Sequence, residues 1–114
     1  TVQQEADFLL SPRGAFVVTL MIGELATNAV KHGALSVEVG EIGFGWSTDG
    51  DVLQFEWREQ FDRGDRPVKE GRGFGTDILK RIVPMDMRGT SELSFGRDGM
   101  QYRVSARTDR ITAS

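Results

Sequence analysis

The sequence predicts an α+β domain in which helices pack on one face of a largely antiparallel sheet. Three observations predict it. Apolar residues recur at steps of three and four over 12–32 and again after 76, which is the helical period. They alternate with polar residues over 42–57 and 93–106, which is the strand period. The elements run helix, two strands, loop, helix, two strands, an order that fits one sheet covered on a single side. A length of 114 residues makes this one domain, 1–114, without internal repeat or boundary.

Residues 1–10 are weakly patterned, with Phe8, Leu9 and Leu10 read as a short edge strand. Ser11-Pro12 is a helix start, serine capping and proline at the first helical position. Phe16, Val17, Leu20, Met21, Leu25, Ala29 and Val30 then form one helix face, and Gly33 is a terminator. The first helix is therefore expected over Pro12 to His32, weakened by Gly14 and Gly23. Ile42, Phe44 and Trp46, the turn Thr48-Asp49-Gly50-Asp51, and Leu53, Phe55 and Trp57 make an antiparallel hairpin with one apolar face. Residues 60–73 are polar, charged and rich in glycine, with Phe61 and Val68 as the apolar anchors; so long an unpatterned stretch is usually functional or mobile. A second helix is expected from Thr76 to Val83, ended by Pro84. Leu93 and Phe95, the turn Arg97-Asp98-Gly99, and Met100, Tyr102, Val104 and Ala106 make a second hairpin. Asp109 to Ser114 reads as a frayed tail.

Composition removes several function classes. The formal charge is −3, so no basic excess points to nucleic acid or to an anionic membrane. With no cysteine there is no disulfide scaffold, thiolate zinc site or cysteine nucleophile, and one histidine argues against a multi-histidine metal cluster. No run of eighteen apolar residues and no basic-then-apolar leader is present, so neither membrane insertion nor a signal peptide is expected. The chain opens on Thr1 and is expected to be a piece of something longer. Its 14 glycines against 3 prolines are about twice the usual glycine share. Either tight turns are numerous, or backbone approaches something closely.

Three constellations can carry chemistry. Glu24, Asn28, Lys31 and His32 are spaced by three and four residues, which puts them on one helix stripe. A carboxylate and an amide oxygen suit a hard cation that keeps several waters, and an ammonium neutralises phosphate charge. The plain alternative is a solvated helix face. Gly71-Arg72-Gly73-Phe74-Gly75-Thr76 has glycines at alternate positions followed by a threonine opening a helix, a pattern that cradles phosphates in backbone N–H groups. It is neither a Walker A loop nor a complete G-x-G-x-x-G, and the alternative is a flexible loop meeting a helix start. Trp57-Arg58-Glu59 puts a carboxylate at a strand end, able to accept from an exocyclic amine such as that of adenine. The alternative there is a core tryptophan followed by surface charges.

Taken together, these stretches resemble the ATP-binding domain of the histidine kinases, within the wider gyrase, Hsp90, kinase and MutL group. Glu24 to Ser36 is similar to the N-box in the form used by the HWE subfamily, with a similar Ser11-Pro12-Arg13 lead-in. Trp57-Arg58-Glu59 resembles that subfamily's W-x-E element, and Gly73-Phe74-Gly75-Thr76 its glycine box. The likeness extends over almost the whole chain.

The resemblance implies a two-layer α/β sandwich of the histidine-kinase/Hsp90-type ATPase fold, with a mixed, mostly antiparallel sheet and helices on one face. It implies ATP and Mg2+ as cofactors. Asn28 would coordinate the magnesium, and Glu24 would polarise an incoming phosphoacceptor histidine or a magnesium-bound water. Lys31 and His32 would lie beside the phosphates, and Glu59 would read adenine. Gly71, Gly73, Phe74, Gly75 and Thr76 would face the phosphates. The implied reaction is γ-phosphoryl transfer to a histidine and onward to a receiver-domain aspartate, in a cytoplasmic setting. Implied partners are the dimerisation/phosphoacceptor and sensor domains of a homodimeric parent and a response-regulator receiver domain, without nucleic acid.

Three departures stand out. Gly23 occupies the place where the subfamily has a histidine before the N-box glutamate. Gln60 to Pro67 replaces an expected pair of glycines and a proline, with Phe61 either crowding the adenine pocket or belonging to a rearranged lid. The helical hairpin with the phosphoacceptor histidine is absent from this sequence. The other readings are a degenerate kinase-like module that works by protein contact, or a serine kinase of the anti-sigma-factor type.

Overall fold

The computed structural model describes residues 2–4, 9–62 and 74–112. Five strands form one sheet in the order β1-β2-β3-β5-β4. They are β1 (Val2–Gln4), β2 (Gly40–Asp49), β3 (Val52–Phe61), β4 (Thr90–Gly96) and β5 (Gly99–Arg107). β1 runs parallel to β2, and every other pairing is antiparallel. The sheet is thus mixed and mostly antiparallel, as the resemblance implies. The edge strand is Val2–Gln4 rather than the apolar Phe8-Leu9-Leu10. Its pairing is with residues some forty positions later, which local patterning does not reveal. Leu10 makes an isolated antiparallel bridge to Thr112, Leu9 is exposed, and Phe8 lies outside the described residues.

Both hairpins follow the alternation. Pairing puts Trp46 opposite Phe55 and Phe44 opposite Trp57 on β2 and β3, while Phe55 faces Val104 and Trp57 faces Tyr102 across β3 and β5. These residues make the inner face. The outer face carries Gln54, Glu56, Gln101 and Arg103, where Glu56 accepts from Gln101 and pairs with Arg103. One face is therefore packed and the other polar, the usual arrangement of an antiparallel sheet.

Helix α1 (Pro12–His32) covers the inner face. Ser11 Oγ accepts from the Gly14 N–H at 3.0 Å, and Pro12 supplies the preset first-turn angle, so the capping inferred from sequence is present. Its buried residues are Gly14, Val17, Val18, Met21, Leu25 and Ala29. Phe16 and Val30 belong to the outward side instead, at 65% and 58% exposure. At about 100° per residue they stand well off the line through Met21 and Leu25. By length and composition alone α1 is apolar enough to cross a membrane, with a mean hydropathy of 1.2. Here its apolar residues Val17, Val18, Met21, Leu25 and Ala29 pack into the core with the inner face of the sheet.

The second helical region is longer than expected. Helix α2 (Phe74–Asp77), a π-helical turn (Ile78–Ile82) and α3 (Val83–Met87) follow one another without a break. Pro84 does not end the helix. The Val83 N–H bonds five residues back to the Ile78 carbonyl, a widened turn directly ahead of the proline. In an α-helix the Pro84 ring would press on the Lys80 carbonyl and one hydrogen bond would be lost. Tyr102 braces this segment from β5, its buried hydroxyl donating to the Leu79 carbonyl at 2.7 Å. The chain leaves α3 through Arg88, at φ 55°, and the Gly89 N–H returns to the Pro84 carbonyl at 2.8 Å.

Residues 109–112 are not frayed. After a 3₁₀ turn (Thr108–Arg110), Ile111 is fully buried and its carbonyl accepts from the Ser11 N–H at 3.0 Å. Gly14 is required beneath it, since a Cβ there would stand 2.0 Å from the Ile111 oxygen. A single apolar residue among polar ones gives no periodicity, which is why the sequence conceals this clasp.

Candidate functional site

The candidate site gathers at the C-terminal end of α1. Glu24 and Asn28 are half-buried; Lys31 and His32 are exposed. Among the described residues no hydrogen bond or ion pair occupies any of these four side chains. Their stripe flanks the buried face of α1 rather than opposing it, because Leu25 and Ala29, next to Glu24 and Asn28, are wholly buried. The stripe therefore runs along the rim where the helix meets whatever lies beside it, neither in the core nor on the outermost surface.

The helix stops at Gly33, where the Gly33 and Leu35 N–H groups both bond to the Ala29 carbonyl, at 3.1 and 3.0 Å. Ser36 closes the turn by donating its N–H and its hydroxyl to the Gly33 carbonyl, at 2.9 and 2.6 Å. This turn aims the Ala34 N–H at Oε1 of Glu59, 2.9 Å away. Oε2 of Glu59 accepts from the Trp57 indole N–H at 2.8 Å.

Glu59 is only 5% exposed. It lies in the inner row of the sheet, between Ile42 on β2 and Met100 on β5. A carboxylate in an apolar row is costly unless hydrogen-bonded, and here each oxygen has an N–H donor. The reading of Trp57 as a core residue followed by surface charges is thus half right: Trp57 and Glu59 are buried, and Arg58 alone is exposed. The signal was available, since period-two alternation puts Leu53, Phe55, Trp57, Glu59 and Phe61 on one face. Phe61 belongs to β3, buried and paired with Gly40, its N–H bonded to the Asp98 carbonyl at 3.0 Å.

Sequence reasoning missed what Gly33 is for. It terminates α1, yet its φ of −116° is open to any residue. What demands glycine is clearance, because a Cβ would stand 2.0 Å from Glu59 Oε1 and 3.0 Å from Ala29 Cα.

The set expected to face the phosphates lies only partly within the described residues. Gly71 and Gly73 lie outside them, as do residues 63–67 of the departure after Glu59. Phe74 and Gly75 begin α2, and Thr76 lies half-buried inside it rather than opening it. Gly23, where a histidine was expected, is exposed with open space around it. A separate cleft of about 580 Å³ is lined by Arg13, Met85, Asp86, Arg88 and Arg110. It lies at the opposite end of α1 from Asn28, roughly 20 Å away at 1.5 Å per residue.

Among the described residues no group of three or more His, Cys, Asp or Glu side chains is arranged to hold a metal. Glu24 and Asn28 instead offer two hard oxygen donors one turn apart. That set fits magnesium, which is commonly bound through one or two protein oxygens plus waters and substrate phosphates.

No family model matches the chain. It is 37% identical over 102 residues to blue-light-activated histidine kinase 1 of Erythrobacter litoralis, covering 84% of this chain and 27% of that protein. It is 35% identical over 109 residues to a blue-light-activated histidine kinase of Brucella anthropi, covering 88% of this chain and 21% of that one. The chain therefore spans about a quarter of the length of these relatives. Among solved structures, the histidine kinase domain of an Erythrobacter litoralis blue-light-activated histidine kinase superposes with a TM-score of 0.76 at 17% identity, over 96% of this chain and 51% of that one. The Acinetobacter baumannii histidine kinase AdeS gives 0.71 at 10% identity, over 96% and 53%. At these identities the superpositions establish the two-layer fold.

Proposed function

For a chain that belongs to the catalytic-domain family of HWE-type histidine kinases, we propose that it binds Mg-ATP along the α1 rim and transfers the γ-phosphoryl group to a histidine outside this sequence. The observation that carries the reading is the Gly33–Ala34 turn, which joins the end of the Glu24–Asn28 stripe to the Glu59 carboxylate. One turn of chain thus links the two ends a nucleotide presents, polyphosphate and base.

Magnesium, when bound, would supply charge neutralisation at the ATP phosphates, and Asn28 would hold it through the amide oxygen. Glu24, one turn earlier, would accept a hydrogen bond either from the phosphoacceptor imidazole, orienting that nucleophile, or from a magnesium-bound water. Lys31 and His32, exposed at the last turn, lie beside the phosphates, and the Lys31 ammonium offsets their charge. Glu59 accepts from the adenine amine. Gly71, Gly73, Phe74, Gly75 and Thr76 supply backbone and hydroxyl donors on the phosphate side. The protein's contribution is positioning and electrostatics, as in other phosphoryl transfers. In the parent the domain works in the cytoplasm beside dimerisation and sensor domains, in a homodimer that passes the phosphoryl group to a receiver domain.

Calorimetry with Mg-ATP tests this directly. Wild type binds, and Asn28→Ala loses the magnesium-dependent part of the affinity while staying folded. No binding at millimolar nucleotide by the folded domain overturns the reading in favour of a protein-contact module. With a phosphoacceptor region supplied in trans, acid-labile phosphohistidine is the expected product; phosphoserine would favour the serine-kinase reading.

A further inference from the structure

Glu59 is the buried charged side chain among the described residues, and its two donors come from different places. Ala34 belongs to the turn that ends α1, while Trp57 sits two residues back on the same strand face. The indole does not depend on that hydrogen bond for its own orientation. It is 7% exposed and packed against Phe44, with ring centroids 6.1 Å apart and planes tilted by 59°. A rigid donor therefore holds a side chain whose terminal torsion is otherwise soft, since the last χ of glutamate is broad and roughly two-fold.

We infer that Trp57 is a positioning residue that makes this site select a base with a 6-amino group over one with a 6-oxo group. The inference rests on Glu59 being the base-reading acid. A carboxylate has about four lone-pair positions. With Ala34 and Trp57 each taking one, the rotation of the carboxylate is fixed and the remaining acceptor directions are set. An adenine amine donates along such a direction. A hypoxanthine 6-oxo group would bring acceptor against acceptor, and the site would reject it. Without the indole N–H, Ala34 is the sole anchor. The carboxylate then turns far enough to accept from the ring N1–H that a 6-oxo base also carries, and discrimination falls.

The test is calorimetry of wild type and Trp57→Phe with Mg-ADP and Mg-IDP. Wild type prefers ADP, and in Trp57→Phe the ADP-to-IDP preference narrows by about five- to tenfold, the worth of one oriented hydrogen bond. If both affinities fall together and the ratio stays put, Trp57 is a packing residue and the inference is overturned. If wild type binds neither nucleotide, the reading of Glu59 fails instead, a different result.

A stability cycle covers the case in which Trp57→Phe folds but binds nucleotide too weakly to titrate. Glu59→Gln has one acceptor oxygen for two N–H donors, so one donor must face the amide nitrogen. Adding Trp57→Phe removes that conflict, and the double variant is expected to lose less stability than the sum of the two single losses. Additive losses would overturn the positioning role.

Discussion

Gly33 and Glu59 are so close that any side chain on the first would displace the second, the gap from a built Cβ to Oε1 being 2.0 Å. The end of the N-box helix and the W-x-E strand are fitted together at this point by the absence of a single methyl group.

Gly33→Ala should therefore cost about 2 kcal/mol through overpacking and a displaced hydrogen bond. It should also weaken adenine nucleotide binding more than the stability loss alone explains. Paired denaturant melts and Mg-ADP calorimetry check this. Unchanged affinity in a destabilised protein would mean that Glu59 does not read the base.

Much of this was legible beforehand. Ser11-Pro12 and Gly33 mark both ends of α1 because caps are local chemistry, and the two hairpins follow from alternation and turn residues. The stripe of Glu24, Asn28, Lys31 and His32 is likewise fixed by helical spacing. What stayed hidden depends on distant partners. Val2–Gln4 becomes a strand only through its parallel neighbour, and Ile111 is buried only because Gly14 makes room for it. Pro84 continues a helix because the turn before it widens, and nothing in Ile78 to Ile82 announces a π turn. At the candidate site, the carboxylate was visible in the sequence but the donors that hold it were not. Ala34 reaches Glu59 across 25 positions.

Gly23 presents the opposite case to Gly33. It lies in mid-helix, exposed, with nothing within 4 Å of a built Cβ. Gly23→Ala should stabilise the domain by about 1 kcal/mol, the helix-propensity difference, visible as a rise of several degrees in Tm. Gly23→His, the residue the subfamily places there, should fold equally well. A drop in Tm for Gly23→Ala would show that the glycine is conformationally required.

Tyr102 makes the stability sensitive to alkali. Burial pushes its phenol well above the ordinary value of 10.0, so the folded protein keeps a proton that the unfolded chain gives up. The folded state then binds more protons above pH 10, and stability present in full below that pH is lost as pH rises further. Tyr102→Phe should remove this alkaline decline while costing about 1–2 kcal/mol at neutral pH, from the unpartnered Leu79 carbonyl. Melting curves between neutral pH and pH 11 compare the two. Parallel pH profiles would assign the alkaline loss to other groups.

The Ile111 clasp sets a timetable as well as a contact. The Ser11 side chain can cap its helix within three residues, but the Ser11 backbone N–H waits for a carbonyl 100 positions later. So distant a closure carries a large loop entropy and is expected late in folding. During synthesis α1 can form and cap itself early, yet its start stays unfastened to Ile111 until the whole sheet has left the ribosome.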